Sequence, residues 1–206
     1  MGRTAKIDLA VNRKGRQFAL KIFRLTNPTN DQATAELVRK EVAARCMLSH
    51  KHIPKYFGCR QRRTLKKADG TQIPVTYIVE EPILNGELFD HLMNAGGFSE
   101  KMCRHLFKQM LDGVRYVHEQ GYAHRDLKLE NILLDKNYSV KLIDFGFASK
   151  LAGRDESGLM KTCCGTPNYM APEIHQNKKY KGESVDVFAL GVVLFAMRAC
   201  SFPFHT

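Results

Sequence analysis

Three short segments in the second half of the chain carry residue types suited to chemistry on phosphate groups. Residues 124–131 read HRDLKLEN, and residues 144–146, which read DFG, begin thirteen positions after Asn131. Carboxylate and amide oxygens are the ligands that Mg²⁺ prefers, and a carboxylate can also accept the proton of a hydroxyl group. A third segment, GTPNYMAPE, occupies residues 165–173. Each segment alone is a weak signal, but their order and spacing together are very specific.

This series resembles the motifs H-R-D-L-x-x-x-N, D-F-G and A-P-E of the eukaryotic protein kinase family. The resemblance implies transfer of a phosphoryl group from ATP, which depends on positioning and charge neutralisation. It implies that Asp126 accepts the proton of the substrate hydroxyl and that Lys128 neutralises the transferred group. Asn131 and Asp144 are the implied ligands of Mg²⁺. Lys128, and Thr166 in the implied substrate-binding segment, are typical of the serine/threonine branch.

A lysine in the first third of the chain extends the resemblance. The strand sequence FALK, which ends at Lys21, matches the family motif V-A-I-K. Lys21 is therefore expected to bind the α- and β-phosphates of ATP and to pair with a glutamate of the following helix. The expected partner is Glu41, nine residues before His50, where the family has its H-x-x-I element. Glu36 remains the alternative, because one sequence does not fix the register of a helix.

The resemblance also implies where the nucleotide base and ribose bind. Residues 80–84 correspond to the hinge between the two lobes of the family fold, and backbone groups of Glu81 and Ile83 are expected to meet the adenine edge. The sequence NGELFD resembles calcium/calmodulin-dependent and related kinases, in which the glutamate, here Glu87, lies near the ribose and can attract a basic residue of the substrate. The side chains expected to sandwich the adenine are Ala19 and Leu133.

The phosphate-covering loop of the family, G-x-G-x-x-G-x-V, is matched only in part. An alignment on Ile7, which we predict to be a nucleotide-binding residue, puts Gly2 at the second glycine and Ala5 at the third. The first glycine would lie before Met1. Because glycine lets the backbone approach a phosphate closely, Ala5 should be tolerated less well than the family glycine.

Two further positions carry implied regulatory or supporting roles. Thr162 lies four residues before Thr166, at the usual phosphorylation site of the activation loop. A phosphate there would pair with Arg125, and an upstream activating kinase would be a partner. Asp186 begins the apolar helix, and in the family this aspartate accepts backbone hydrogen bonds from the catalytic loop.

Two charged residues occupy positions where the family usually has apolar ones. If Glu41 pairs with Lys21, then Arg45 lies one helical turn later, and Glu80 stands at the position behind the ATP site. An isolated buried charge is costly, whereas a paired and hydrogen-bonded one is tolerated. We therefore predict an ion pair between Arg45 and Glu80; the alternative is that both side chains reach solvent.

The elements that must position these residues follow from periodicity. Alternation of polar and apolar residues predicts strands at residues 6–11 and 17–23, joined as a hairpin by a turn at 12–16. A helix is predicted over about 31–48, with acidic residues near its start. Further short strands are predicted around Tyr56 and over 75–80, joined by a basic loop at 60–70. Beyond residue 87 helical patterns dominate. The prediction is an α+β, protein-kinase-like bilobal fold, with a β-rich N-lobe over 1–82 and a partial C-lobe over 83–206.

Composition bounds the class of protein. The chain has 206 residues, 44% hydrophobic and 26% charged, with a formal net charge of +11 and six cysteines without a C-x-x-C pair. This composition predicts a globular protein with reduced thiols in the cytoplasm, with the nucleus as an alternative, and no zinc site. No signal peptide is expected, and the longest apolar stretch, 187–197, is shorter than the roughly 20 residues of a membrane span, so no membrane partner is expected.

Two functional interpretations remain open. The first is a protein serine/threonine kinase that uses ATP and Mg²⁺ on a protein with a serine or threonine acceptor, and with basic residues near that acceptor. The second is a truncated, non-catalytic fragment that binds nucleotide or acts as a scaffold, because the family continues with several more helices, and we expect a chain cut short at both ends to be marginally stable. A nucleic-acid-binding protein would rest on charge alone, so no specific nucleic acid is expected.

Overall fold

A computed structural model describes residues 5–25, 28–67, 69–153 and 156–204, with the backbone alone for residues 28–31 and 33. The chain divides into two compact units. The first comprises Met1–Ser49 and Pro54–Pro82, and the second comprises His50–Ile53 and Ile83–Thr206. The predicted boundary between residues 82 and 83 coincides with this division, except that His50–Ile53 belongs to the second unit.

The first unit contains a four-stranded antiparallel sheet and one helix. Its strands lie in the order β1-β2-β4-β3. The elements are β1 (Lys6–Val11), β2 (Gln17–Arg24), α1 (Pro28–Met47), β3 (Tyr56–Lys66) and β4 (Gln72–Glu80).

The predicted hairpin of β1 and β2 is confirmed by pairing from Lys6 opposite Ile22 to Val11 opposite Gln17. The Asn12 side chain closes the turn, since its oxygen accepts hydrogen bonds from the backbone N–H groups of Lys14 and Arg16.

Two predicted boundaries in this unit were wrong. Helix α1 begins at Pro28 rather than near residue 31, because the fixed φ of proline suits the first helical position and its missing N–H is not needed there. The predicted basic loop at 60–70 lies mostly in β3, which runs to Lys66 as an edge strand and is exposed over residues 60–66. Exposed basic residues give no apolar alternation, so the strand was invisible to the sequence pattern.

The core of the first unit lies between α1 and one face of the sheet. Phe23 of β2, Val38 of α1 and Ile78 of β4 are buried together, and Val42 and Tyr56 are among the residues packed against them. Helix α1 therefore lies on the face of the sheet to which Phe23 and Ile78 point.

The second unit is mainly helical. Its elements are α2 (Leu88–Ala95), α3 (Glu100–Glu119), β5 (Tyr122–Ala123), β6 (Ile132–Leu134), β7 (Val140–Leu142), β8 (Ser149–Lys150), α4 (Pro172–His175) and α5 (Gly182–Ala199). Strands β6 and β7 form one small antiparallel sheet, and β5 and β8 form another. The pairs of short strands flank the segments 124–131 and 144–146, so both motifs lie on connections anchored by strands.

A serine caps the start of helix α3. The Ser99 hydroxyl accepts a hydrogen bond from the backbone N–H of Met102, which caps the helix. Four apolar residues of this helix are buried in one cluster with residues of α5: Cys103, Leu106, Met110 and Val114. Phe107 packs against the same cluster and is partly buried. On α5, Val187 and Phe195 remain exposed. Among the described residues, no helix has the length and apolarity needed to cross a membrane.

Two glycines of α5 provide a test of this packing. A Cβ at Gly182 would lie 2.5 Å from Ala123 Cβ and 2.8 Å from Met160 Cε, whereas a Cβ at Gly191 would meet nothing within 4 Å. Gly182→Ala should lower the free energy of unfolding by about 1–3 kcal/mol through overpacking. Gly191→Ala, in the same helix, should raise it by about 0.5–1 kcal/mol because alanine favours the helix. Urea denaturation measures both; equal effects of the two substitutions would contradict this packing.

Candidate active site

The segment 124–131 is held in place by one buried carboxylate. Asp186 of α5 has no solvent exposure. Its Oδ2 accepts a hydrogen bond from the backbone N–H of His124 at 2.8 Å, and its Oδ1 accepts one from the N–H of Arg125 at 2.7 Å. His118 Nε2 lies 2.8 Å from Oδ2 and donates a third. Arg125 adopts a left-handed φ of 65°, and two consecutive N–H groups converge on the same carboxylate. The supporting role predicted for Asp186 is confirmed.

Four of the predicted site residues form one hydrogen-bonded cluster around Asp126. Asn131 Nδ2 donates to the Asp126 carbonyl at 2.8 Å and to its Oδ2 at 3.0 Å. The Thr166 hydroxyl donates to Asp126 Oδ1 at 2.9 Å and accepts a hydrogen bond from Lys128 Nζ at 2.8 Å. Lys128 Nζ also lies 3.3 Å from Asp126 Oδ2. The carboxylate of Asp126 is thus held from two sides and has an ammonium group beside it.

Asp144 is tied to this cluster through the backbone. Its neighbour Ile143 donates from its N–H to the Asn131 carbonyl at 3.0 Å and accepts at its own carbonyl from His124 Nε2 at 2.9 Å. Asp144 itself has a left-handed φ of 61°, and its side chain accepts a hydrogen bond from the N–H of Gly146. Phe145 is buried with its ring 4.8 Å from the ring of His124. The two motifs that lie thirteen residues apart are therefore locked together in the structure.

The donor set of this region suits a hard divalent cation. Because Asn131 Nδ2 is turned towards Asp126, the amide oxygen of Asn131 is the atom left to face a ligand. Asp144 adds carboxylate oxygens. Amide and carboxylate oxygens in small number, completed by phosphate and water, are how Mg²⁺ is usually bound. Within the described ranges there is no group of three or more His, Cys, Asp or Glu arranged to hold a metal by themselves.

In the first unit, Lys21 and Glu41 form the predicted ion pair. Lys21 Nζ donates to Glu41 Oε1 at 2.6 Å, and the two side chains are 11% and 3% exposed. The alternative partner was wrong: Glu36 lies on the exposed side of the helix, where Arg39 Nε donates to its Oε2 at 2.8 Å. That hydrogen bond lowers the pKa of Glu36 to about 2. Of the two helical registers that the sequence left open, the structure therefore has the one that pairs Glu41 with Lys21.

The predicted ion pair between Arg45 and Glu80 is also confirmed. Arg45 Nε lies 2.7 Å from Glu80 Oε1, and the two side chains are 1% and 17% exposed. The guanidinium also donates to the carbonyl of Pro54. The alternative, in which both side chains reach solvent, was wrong.

The predicted regulatory pair is linked through a tyrosine that sequence reasoning missed. Arg125 Nη1 donates to the Tyr180 hydroxyl at 3.1 Å, and that hydroxyl donates to the Thr162 carbonyl at 2.7 Å. Burial raises the pKa of Tyr180, which keeps the hydroxyl protonated. Thr162 itself is exposed. No motif marks Tyr180, since its role comes only from the fold of the segment between β8 and α5.

The residues predicted to bind the base and ribose are divided between the two units. In the first unit Ile7 lies directly opposite Lys21 in the pairing of β1 and β2, and Ala19 lies two residues from Lys21, so the three share one face of the sheet. Glu81 belongs to the same unit, and its carboxylate accepts a hydrogen bond from the N–H of Lys55. Ile83 lies in the second unit. There Glu87 pairs with Leu133 through an isolated β-bridge.

The glycine predicted at the phosphate-covering loop, Gly2, lies outside the described residues. Ala5 is partly buried and packs against the core of the first unit.

Comparison with known proteins identifies the family. The family model described as "Protein kinase domain" matches residues 1–206, and the chain belongs to this family. It is 36% identical to CBL-interacting serine/threonine-protein kinase 17 of Arabidopsis thaliana, over 98% of this chain and 45% of that protein. It is 38% identical to the serine/threonine-protein kinase SIK2 of Gallus gallus, over 98% of this chain and 24% of that protein. Over 98% of this chain and 28% of the other, it is 37% identical to maternal embryonic leucine zipper kinase of Danio rerio.

These matches confirm two predictions made from the sequence motifs. The chain is similar to serine/threonine kinases of the calcium/calmodulin-dependent-kinase-like group, and it has a kinase-like α+β fold. The chain spans less than half the length of the curated relatives it matches.

The role of Asp186 can be measured without any activity assay. Asp186→Asn puts an NH₂ group where a carboxylate oxygen accepts a backbone N–H, so the free energy of unfolding should fall by about 3 kcal/mol. Asp90→Asn makes the same change at an exposed position of α2 and should leave the stability within about 0.5 kcal/mol. Chemical denaturation of both variants provides the measurement. An Asp186→Asn variant as stable as Asp90→Asn would show that the carboxylate does not hold the segment 124–131.

Proposed function

We propose that this chain is a protein serine/threonine kinase, which transfers the γ-phosphate of ATP to a serine or threonine hydroxyl of a protein substrate. The observation that carries the proposal is the cluster in which Asp126, Lys128, Asn131 and Thr166 are joined by hydrogen bonds. This cluster combines a fixed carboxylate, a neighbouring cation and an amide oxygen, which are the groups that phosphoryl transfer to a hydroxyl needs.

Asp126 serves as the proton acceptor for the substrate hydroxyl. Its carboxylate is 5% exposed and is held by Asn131 on one oxygen and by Thr166 on the other. Because this carboxylate is already held in position, it can orient a hydroxyl towards a phosphoryl group without losing further conformational entropy. Lys128 holds its ammonium group beside this carboxylate and beside the Thr166 hydroxyl, where it neutralises negative charge on the transferred group.

Asn131 and Asp144 are the residues that would hold Mg²⁺, through oxygen atoms. When bound, ATP would supply the phosphoryl group, and Mg²⁺ would neutralise charge on the phosphate oxygens around it. Lys21, oriented by Glu41, contributes the positive charge of the first unit for the α- and β-phosphates. Ile7, Ala19, Glu81, Ile83, Glu87 and Leu133 are the residues we assign to the binding of the nucleoside.

Regulation and location belong to the same proposal. A phosphate added to the exposed Thr162 by an upstream kinase would compete with Tyr180 for the guanidinium of Arg125. The carboxylate of Glu87 would favour substrates with a basic residue near the acceptor.

We place the chain in the cytoplasm, with the nucleus as an alternative, on its reduced cysteines.

Replacing Asp126 tests the chemistry directly. Asp126→Asn removes the proton acceptor but keeps the shape of the side chain, so the rate of phosphate transfer to a serine-containing basic peptide should fall about 10²–10⁴-fold. The rise in the unfolding midpoint caused by Mg-ATP should remain, because this residue does not hold the nucleotide. Asp90→Asn is the matched control and should keep the parent rate.

A rate in Asp126→Asn equal to that of the parent would sink the proposed function. A parent chain whose midpoint rises with Mg-ATP but that transfers no phosphate would point instead to a nucleotide-binding module.

Thr166 offers a finer test of the cluster. Thr166→Val keeps the size of the side chain but removes the hydroxyl that bridges Lys128 and Asp126, so kcat should fall about 10- to 100-fold, the worth of a hydrogen bond to a charged group. Thr166→Ser keeps the hydroxyl and should stay within about threefold of the parent rate. Steady-state kinetics with the same peptide distinguishes them, and equal rates for the two variants would refute the bridging role.

A further inference from the structure

The buried face of helix α1 is unusual because half of it is ionic. Among the side chains of α1 that the structure describes, the buried ones are Val38, Glu41, Ala44 and Arg45. Glu41 and Arg45 are four residues apart, so they project from the same side of the helix, about 6 Å apart along its axis. A helix with so few large apolar contacts is held weakly by packing alone.

The partners of these two charges lie side by side on the sheet. Lys21 is on β2 and Glu80 is on β4, and these strands pair so that Ala19 stands opposite Glu80 and Lys21 opposite Ile78. Opposite residues share a face, and so do residues two apart on a strand, so Lys21 and Glu80 point to the same face of the sheet. They are separated by one strand spacing and two residues. The helix and the sheet therefore meet at two neighbouring ion pairs.

The two ion pairs have opposite polarity. At the first, the sheet contributes the cation, Lys21, and the helix contributes the anion, Glu41. At the second, the helix contributes the cation, Arg45, and the sheet contributes the anion, Glu80. A shift of the helix by one turn in one direction would bring Glu41 to Glu80, and a shift in the other direction would bring Arg45 to Lys21. Both shifts place like charges together in a poorly solvated site, where repulsion is strongest.

We propose that the crossed polarity of these two pairs fixes the register of α1 on the sheet, and that Arg45 and Glu80 are positioning residues for the Lys21–Glu41 pair. Apolar side chains at positions 45 and 80 would attract the helix to the sheet at several registers, because apolar packing is not directional. The crossed charges are compatible with only one of these registers. The consequence for phosphate transfer rests on the proposed function, whereas the register itself does not.

The surroundings of the second pair support this assignment. Arg45 is anchored a second time, to the Pro54 carbonyl just before β3. Tyr56 of β3 stands directly opposite Glu80, and burial raises the pKa of its hydroxyl, so Tyr56 adds no negative charge beside the carboxylate. Glu80 is thus the anion of this site that faces the helix, and Arg45 is tied to both β4 and the start of β3.

The test separates stability from register by removing both charges of the second pair. Arg45→Met or Glu80→Met alone leaves one buried charge without its counterpart and should lower the unfolding midpoint. The double variant Arg45→Met/Glu80→Met should recover most of that loss, because neither charge remains. Although its unfolding midpoint recovers, the double variant lacks the charges that fix the helix register. Glu41 should therefore shield Lys21 less well from solvent and reagents.

Chemical acylation reports that shielding without any need for activity. In the nucleotide-free full chain, the rate at which acetyl-N-hydroxysuccinimide modifies Lys21, read by peptide mass spectrometry, should rise about tenfold in the double variant, the worth of one charged hydrogen bond. Glu41→Gln sets the rate expected when the pair is broken. Glu36→Met/Arg39→Met removes the exposed ion pair on the same helix and should leave the Lys21 rate unchanged.

A charge-swapped variant tests the polarity itself and keeps the proposal open to refutation if the methionine variant does not fold. Arg45→Glu/Glu80→Arg retains two opposite charges but gives both helix positions a negative charge and both sheet positions a positive one. One-turn shifts then become attractive, so Lys21 should again be acylated about tenfold faster. In either folded variant, an acylation rate equal to the parent's would overturn the proposal.

Kinetics distinguishes this outcome from a failure of the proposed function. If the parent chain is active, the double methionine variant should lose about tenfold in kcat, while the exposed-pair control keeps the parent kcat. If the parent chain transfers no phosphate, the proposed function fails but the acylation result still decides the register.

Discussion

The carboxylate of Asp186 is the constraint on which the rest of the second unit depends. It is fully buried, and its charge is compensated by two consecutive backbone N–H groups and by His118. Backbone groups cannot move independently of the chain, so fixing the N–H groups of His124 and Arg125 fixes the direction in which the following residues leave. Asp126 comes next, and its position is thereby set by a residue sixty positions later in the chain.

From that anchor the site is assembled by short polar links and not by an apolar pocket. Asn131 connects Asp126 to Ile143 through its side chain and its carbonyl, and Thr166 connects Asp126 to Lys128. Each link joins segments that are distant in sequence, so each hydrogen bond becomes favourable only when the other links have brought its segments together. In the first unit, two buried ion pairs serve the same purpose, because charges of crossed sign hold a helix at one register where apolar contacts would allow several.

The motif residues and the two buried ion pairs of the first unit could be predicted from the sequence. The spacing of HRDLKLEN, DFG and APE indicated the family, and the matched register predicted Glu41 as the partner of Lys21 and Arg45 as the partner of Glu80. The second pair could be predicted because the matched register places an arginine and a glutamate at neighbouring interior positions, where an isolated charge is costly. The edge strand β3 and the start of α1 were missed, because exposed basic residues and an initial proline carry no apolar periodicity.

What the sequence alone determined is the identity of the chemical groups and their order along the chain: the carboxylates of Asp126 and Asp144, the amide of Asn131, and the amines of Lys21 and Lys128. Only the tertiary structure decided which oxygen each donor meets. In the folded chain Glu41, and not Glu36, pairs with Lys21, and Tyr180 lies between Arg125 and Thr162. The amide nitrogen of Asn131 points towards Asp126. The reason is physical: hydrogen bonds and ion pairs act over a few ångströms, and only the packed chain brings residues from distant segments within that range.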